Sequence, residues 1–225
     1  MATRFYLPST GTAPITNVSV SANWEVDSHG KKPCYTSKQS SAMTSFSITD
    51  ADETDQDHCR LQFVSPPIAA ATITVQTIKM QIRCSETNAQ NQMFVALSVR
   101  VVSLDGTTVR GTVLDVTRDN LEMVLTTLTN RQFTATTSSV VASENDRLIF
   151  EIGMGGDPTD ELSAGHDSRV NVGDDSGTDL AEDNGTTTAN NPWIELSDTL
   201  VINAEPPSTV LKDVILSRGV IAFAR

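Results

Sequence analysis

The sequence is short of aromatic and basic residues, and the shortage of basic residues excludes two classes of ligand. Aromatic side chains make up 5% of the 225 residues, and 28 acidic residues outnumber 16 basic ones, for a formal net charge of −12. A surface this acidic repels phosphate groups in nucleic acids and in anionic lipids. The chain is therefore predicted to bind neither nucleic acid nor a membrane surface.

Long apolar runs are also missing. No stretch of about 18 apolar residues occurs, so no segment is predicted to span a bilayer. The opening stretch MATRFYLPSTGTAPIT lacks the basic start and the continuous apolar run of a secretory signal. Together these absences predict synthesis in the cytoplasm.

Cysteine is scarce and odd in number. The three cysteines are Cys34, Cys59 and Cys84, so at least one is unpaired within the chain. Two interpretations stay open: reduced thiols, or a disulfide that forms after release into an oxidising medium, within or between subunits.

Short catalytic motifs are absent as well. The sequence holds no G-x-S-x-G, no H-E-x-x-H, no phosphate-binding loop and no C-x-x-C pair. A cysteine and a histidine that meet only in space would leave no such motif. On balance, the sequence predicts no enzyme and no cofactor.

What the sequence does have is alternation of apolar and polar residues over short stretches rich in Thr, Val, Ile and Phe, which is typical of half-buried strands. The stretches are 44–49, 59–64, 71–84, 93–103, 108–116, 131–140, 146–155 and 191–202. An Asp-Gly pair, Asp105–Gly106, predicts a hairpin between two of them. This spacing predicts an all-β domain over 1–203, a two-sheet antiparallel sandwich of jelly-roll type.

Two stretches depart from simple alternation. The parity slips at Gln76–Thr77, which predicts a bulge or a break between two strands. Residues 116–130 place Leu121, Val124, Leu125 and Leu128 at helical spacing, while their threonine content favours a strand. A short helix and a strand both stay open there.

An acidic stretch covers residues 157–183, which hold nine carboxylates against Arg169. Its Gly, Ser and Thr content predicts a long solvated loop. Asp174, Asp175 and Asp179 are weak candidates for a cation site, although their spacing does not match a known calcium loop. Separately, Trp24, Tyr35 and Trp193 are candidates for stacking on a host glycan, or for partly buried packing.

Several stretches together resemble a group of virion-associated proteins of tailed bacteriophages and prophages. They are ATRFYLPSTGTAPIT followed by Trp24, LTNRQFTATTSSV running into DRLIFEIGMGGD, GDDSGTDLAEDN, and NPWIELSDTLVI. The resemblance covers roughly residues 2–202 and transfers no catalytic residue. It implies a structural component of the virion, in the head decoration, the collar or the tail, with other virion proteins and copies of itself as partners. A glycan-binding module at a virion tip is the alternative.

The last residues, 204–225, form a separate apolar and basic arm after the Pro206-Pro207 break. A cap-like serine at 208, apolar pairs four residues apart and Gly219 predict a short helix. The arm either packs on its own sandwich or docks on a neighbouring subunit. Its candidate interface residues are Val210, Leu211, Val214, Ile215, Val220, Ile221 and Phe223.

Overall fold

The structure is a computed structural model that describes residues 2–50, 56–87, 92–156, 166–185 and 190–206. These residues form strands without any helix, so none of them belongs to a helix long and apolar enough to cross a membrane. The strands are β1 Thr3–Tyr6, β2 Val26–Pro33, β3 Thr44–Asp50, β4 Asp57–Val64, β5 Ala71–Ile73, β6 Thr77–Glu86, β7 Met93–Val102, β8 Val109–Arg118, β9 Thr129–Thr136, β10 Val140–Ala142, β11 Arg147–Gly156, β12 His166–Val172 and β13 Trp193–Leu196.

Two main sheets contain most of the strands. In sheet I, β6 pairs with β9 on one side and with β13 and β12, placed end to end, on the other. Strand β1 lies outside β13, and β3 lies outside β12. Sheet II has the order β2-β4-β11-β7-β8, and β5 and β10 form a separate two-stranded ribbon. Among the strands that the structure describes, neighbours pair antiparallel except β2 with β4.

The main core lies between the two sheets. Alternation turns Ile78, Met80 and Ile82 of β6 inward, and Phe150 of β11 meets them from sheet II, with every one of these side chains fully buried. The rings of Phe5 and Phe150 lie 5.1 Å apart across the core. The all-β sandwich predicted from the sequence is confirmed, whereas the finer jelly-roll assignment stays a prediction.

The parity slip and the Asp-Gly hairpin both appear where the sequence placed them. Strand β5 ends at Ile73 and β6 begins at Thr77, so the slip marks a break between strands. Gly106 has a φ of 75°, in the left-handed region that glycine adopts at little cost. The turn is closed by a 2.8 Å hydrogen bond from the Ser103 amide to the Thr108 carbonyl.

The helix considered for residues 116–130 does not form. Strand β8 continues to Arg118 and β9 begins at Thr129, and the residues between them are irregular. Thr129 pairs with Cys84 at the end of the β6–β9 ladder. The threonine-rich end of this segment forms backbone hydrogen bonds with β6. Its β-branched residues favour a strand over a helix.

The acidic stretch is not one long loop. Strand β12 lies within it and pairs with both β3 and β6, because Val170 and Val172 alternate onto the core face. After β12, residues 174–185 cross the outer face of sheet I, where the Asn130 amide donates to the Gly185 carbonyl at 2.7 Å. The predicted loop at 157–165 lies outside the described residues.

The N-terminal residues 8–25 cover the outer face of sheet II, which the sequence did not predict. A second apolar cluster lies there, formed by Ala13, Val18, Val64, Val102 and Ile149. Strand β11 is therefore buried on both faces over its whole length.

The described chain ends close to the first residue of β11. Arg147 donates to both carboxylate oxygens of Glu205, at 2.9 and 2.6 Å. The domain boundary predicted at 203/204 stays a prediction, and the predicted arm residues from Val210 to Phe223 lie outside the described residues.

Candidate functional site

A buried carboxylate on the outer face of sheet II organises a polar cluster among the described residues. Glu151 of β11 is fully buried. It accepts hydrogen bonds from Trp24 Nε1 at 2.9 Å, from Gln62 Nε2 at 3.0 Å and from the Ser21 amide at 3.1 Å. Arg100 of β7 forms an ion pair with the same carboxylate.

This cluster attaches the N-terminal segment to sheet II. Two of the donors, Ser21 and Trp24, belong to residues 8–25, and the other two belong to strands of the sheet. A buried carboxylate with this many donors is stable only while all of them stay in place. The arrangement is therefore suited to anchoring, since its lone pairs are occupied by the protein itself.

The outer face of sheet I carries a charged network around the Trp193 side chain. The Arg4 guanidinium lies 3.7 Å from the centre of the Trp193 ring and pairs with Glu195 and Asp179, both at 2.8 Å. Lys38 approaches Asp179 at 2.8 Å. Partial burial alone would raise the pKa of Asp179, but the hydrogen bonds from Lys38 and Arg4 outweigh it and lower that pKa.

The three cation candidates do not come together as a site. Asp179 is already neutralised by Arg4 and Lys38, Asp175 is exposed, and Asp174 is buried with its Oδ1 accepting from the Ser176 amide at 2.5 Å. Within the described ranges, no group of three or more His, Cys, Asp and Glu side chains is placed to hold a metal ion. The cation site stays a prediction that this geometry does not favour.

The aromatic candidates for glycan stacking are mostly used in packing. Trp24 is 5% exposed and Trp193 is 1% exposed. Each indole nitrogen has an internal acceptor, Glu151 for Trp24 and the Leu180 carbonyl, at 2.8 Å, for Trp193. Only Tyr35 is half-buried, beside a cleft of about 350 Å³. The packing interpretation thus describes both tryptophans.

All three cysteines are free and buried in different parts of the fold. Burial raises the pKa of Cys84 to about 12 and raises those of Cys34 and Cys59 further, so none is a thiolate at neutral pH. A disulfide between subunits requires a sulfur that a second chain reaches, and burial opposes this. Such a disulfide stays a prediction.

A second buried carboxylate lies at the end of β6. Glu86 is 2% exposed, and its Oε2 accepts from the Met93 amide at 3.1 Å. Its pKa is raised to about 7, first by burial and then by the neighbouring Glu122 carboxyl, while the Met93 amide acts in the opposite direction.

Glu86 makes the stability of the fold depend on pH. Its folded pKa of about 7 exceeds its ordinary value of 4.5, so the folded state holds a proton that the unfolded state releases first. The contribution of Glu86 to stability is fully present below about pH 4.5 and is lost as the pH rises through 7, a change of about 3 kcal/mol. We expect Glu86→Gln to remove this loss, seen as a higher urea midpoint than wild type at pH 8 and a similar one at pH 5.

The matched control for Glu86→Gln is Asp175→Asn, which removes the same charge from an exposed position. It should follow the wild-type pH curve. If Glu86→Gln also follows that curve, Glu86 is ionised in the folded protein throughout this range.

Comparisons with known proteins identify no family. No protein-family model matches the chain, and no curated protein matches it. A CocE/NonD family hydrolase from Staphylococcus aureus is similar with a TM-score of 0.47 and 9% identity, over 90% of this chain and 36% of that chain. A second structure of a CocE/NonD hydrolase from the same organism gives 0.47 and 10%, over 87% and 36%.

Virus structures also appear among the similar folds. The VP2 subviral particle of infectious bursal disease virus has a TM-score of 0.23 and 11% identity, over 69% of this chain and 40% of that chain. The Gx strain of this virus gives 0.22 and 12%, over 81% and 44%. The chain spans less than half the length of each of these four structures.

The hydrolase comparison contradicts the prediction that the chain is not an enzyme, and that prediction was wrong. It rested on missing short motifs, whereas catalytic groups are recognised by their geometry and come together from distant parts of a chain. Neither likeness shows an activity of this chain, because fold does not imply function.

Proposed function

We propose that this chain is a structural protein of a bacteriophage virion, in the head decoration, the collar or the tail. It is made in the cytoplasm of the host bacterium and acts by assembling with copies of itself and with other virion proteins. The resemblance of residues 2–202 to virion-associated proteins supports the proposal.

The observation that supports the proposal is the position of the apolar arm residues relative to the core formed by the described residues. The main core runs from Phe5 to Leu200, with Ile202 packed against it, and the Arg147–Glu205 ion pair follows. The seven apolar arm residues come after this point in the sequence. Each such side chain gains about 1.5–3 kcal/mol when it is buried, and left in water the segment would promote aggregation. A neighbouring subunit supplies the cover.

Deletion of Ser208–Arg225 tests the proposal. We expect the truncated protein to remain folded, with a melting temperature close to wild type, because on this proposal the arm packs on a neighbouring subunit and not on its own core. It should no longer join its oligomer or particle, which light scattering and incorporation into purified particles measure.

An arm that packs on its own sandwich predicts a different result. If the arm packs on its own sandwich, deletion exposes the surface it covered, and about 1 kcal/mol lost lowers the melting temperature by roughly 2–4 °C. A melting temperature several degrees lower with assembly intact would contradict the proposal. Leu211→Asp with Ile215→Asp provides a full-length variant of the same test, since it removes the apolar pairs and keeps the length.

A further inference from the structure

Three exposed aliphatic side chains share the irregular segment between β8 and β9. Leu121, Val124 and Leu125 are 44%, 42% and 39% exposed, and we call them the β8–β9 patch. The segment is held firmly, since the amide of buried Met123 donates to the Met93 carbonyl at 2.8 Å. The patch is thus an apolar surface on an anchored part of the fold.

The charge next to the patch is negative. Glu122 lies between the patch residues and is exposed, and its carboxyl group interacts with that of Glu86. None of the ion pairs between described residues joins either carboxyl to a basic side chain.

The nearby arginines do not neutralise this pair. Arg118 pairs with Asp57 at 2.7 Å, and Arg131 is buried beside Asp119 at 3.6 Å. Arg169 donates to the Thr126 carbonyl and to Ser85 Oγ. Glu86 is buried, so Glu122 is the carboxylate that a partner can reach. A binding partner that brings both apolar and basic side chains would complement the patch and Glu122.

The arm has this composition. Its apolar pairs are Val210 with Val214 and Leu211 with Ile215, and its charged residues are Lys212, Arg218 and Arg225 against Asp213. In the predicted helix the pairs four residues apart lie on one face.

The arm of the same copy starts too far away. Glu205 contacts Arg147, the first residue of β11, whereas Met93 beside the patch pairs with Gly156, the last. The length of β11 separates the two points by about 30 Å. Three extended residues from Glu205 to Ser208, followed by the predicted helix as far as Ile215, span at most about 21 Å. The apolar pairs of the predicted helix therefore do not reach the patch of their own copy.

We propose that the arm of one copy docks through its apolar residues between Val210 and Phe223 on the β8–β9 patch of a neighbouring copy, with its basic side chains against the exposed Glu122. This inference rests on the proposed function and names the surface that receives the arm. The two ends of one sandwich then carry complementary halves of a contact between copies.

The test uses a patch variant of the full chain, Val124→Lys with Leu125→Lys, which replaces apolar surface by repelling charge. The matched control is Val141→Lys with Val201→Lys, two valines that are 68% and 64% exposed. These valines lie near the start of the arm, within reach of an arm that packs on the sandwich of its own copy. We expect the patch variant to keep the wild-type melting temperature and to self-associate at least about tenfold more weakly in sedimentation velocity. The control should associate as wild type does.

Mixing gives the decisive measurement. Neither the patch variant nor the arm-deleted form should assemble alone. The patch variant retains its arm and the arm-deleted form retains its patch, so a mixture of the two should form a one-to-one heterodimer. Ile215→Cys in the patch variant and Leu125→Cys in the arm-deleted form then test the contact directly. A disulfide between them would place the arm on the patch, and the native cysteines are buried and would not compete.

The outcomes separate the two proposals. A patch variant that assembles as wild type does, or a mixture without heterodimer, overturns the docking site while the deletion result still supports the assembly arm. If the Val141/Val201 control associates more weakly and the patch variant does not, the arm docks at the end of the sandwich that carries these valines. That result also overturns the β8–β9 patch as the docking site. Assembly that survives arm deletion, or a wild-type chain that stays monomeric, overturns both.

Discussion

Replacing Glu151 by alanine is expected to destabilise the fold by about 3–5 kcal/mol, the usual cost of breaking a buried ion pair by removing one partner. The change leaves the Arg100 guanidinium buried without its carboxylate, and it leaves the Trp24 indole N–H without its acceptor. For a domain of this size, the loss corresponds to a melting temperature lower by roughly 6–20 °C.

The same change should release the N-terminal segment before the sandwich unfolds. Limited proteolysis is the second measurement, with cleavage expected within residues 8–25. Asp115→Ala is the matched control, because exposed Asp115 also binds this segment, accepting from Asn23 Nδ2 at 2.6 Å. An exposed contact of this kind contributes about 1 kcal/mol or less. Equal effects of the two substitutions would show that Glu151 is not the anchor.

A double substitution separates the ion pair from the anchoring role. Arg100→Ala with Glu151→Ala removes both charges, so it should cost less than the sum of the two single changes. Additive costs would mean that the two side chains act independently.

The alternation of strand residues was sufficient to predict the two-sheet core, because each inward position is decided by its neighbours two residues away. It succeeded for Leu148, Phe150 and Ile152, and for the break after Ile73. It could not show that the other face of β11 is buried too. Glu151 occupies an outward position that looks solvent-facing in the sequence, and its burial depends on a covering segment more than 120 residues away.

Strand β2 was missed in the sequence for a physical reason. Strand β2 contains Asp27, His29 and two lysines, and it pairs with β4 alone, at the edge of sheet II. Backbone hydrogen bonds to a neighbour hold such a strand without an apolar face, so periodicity cannot detect it. The segment that carries the β8–β9 patch is the opposite case, because there the sequence suggested an element that does not form. Its helical spacing was visible in the sequence, but ladder pairing at both ends decided the structure.

Phe150→Ala is the second change with a large expected effect, a loss of about 3–5 kcal/mol. Phe150 is fully buried on the central strand of sheet II, between Phe63 of β4 and Val99 of β7, and its ring packs on Phe5 of sheet I. Removing the ring leaves a cavity that neighbours held by two ladders cannot close. Urea unfolding should give a lower midpoint with an unchanged slope, because the surface exposed on unfolding stays nearly the same.

Two further variants define what the Phe150 result means. Thr134→Ala, at an exposed position of β9, should be near neutral. Phe150→Leu retains most of the side-chain volume and should recover most of the lost stability, because cores tolerate changes that keep volume better than changes that open a cavity. If Phe150→Ala unfolds at the wild-type midpoint, Phe150 does not face the core between the sheets, and the inward face assigned to β11 is wrong.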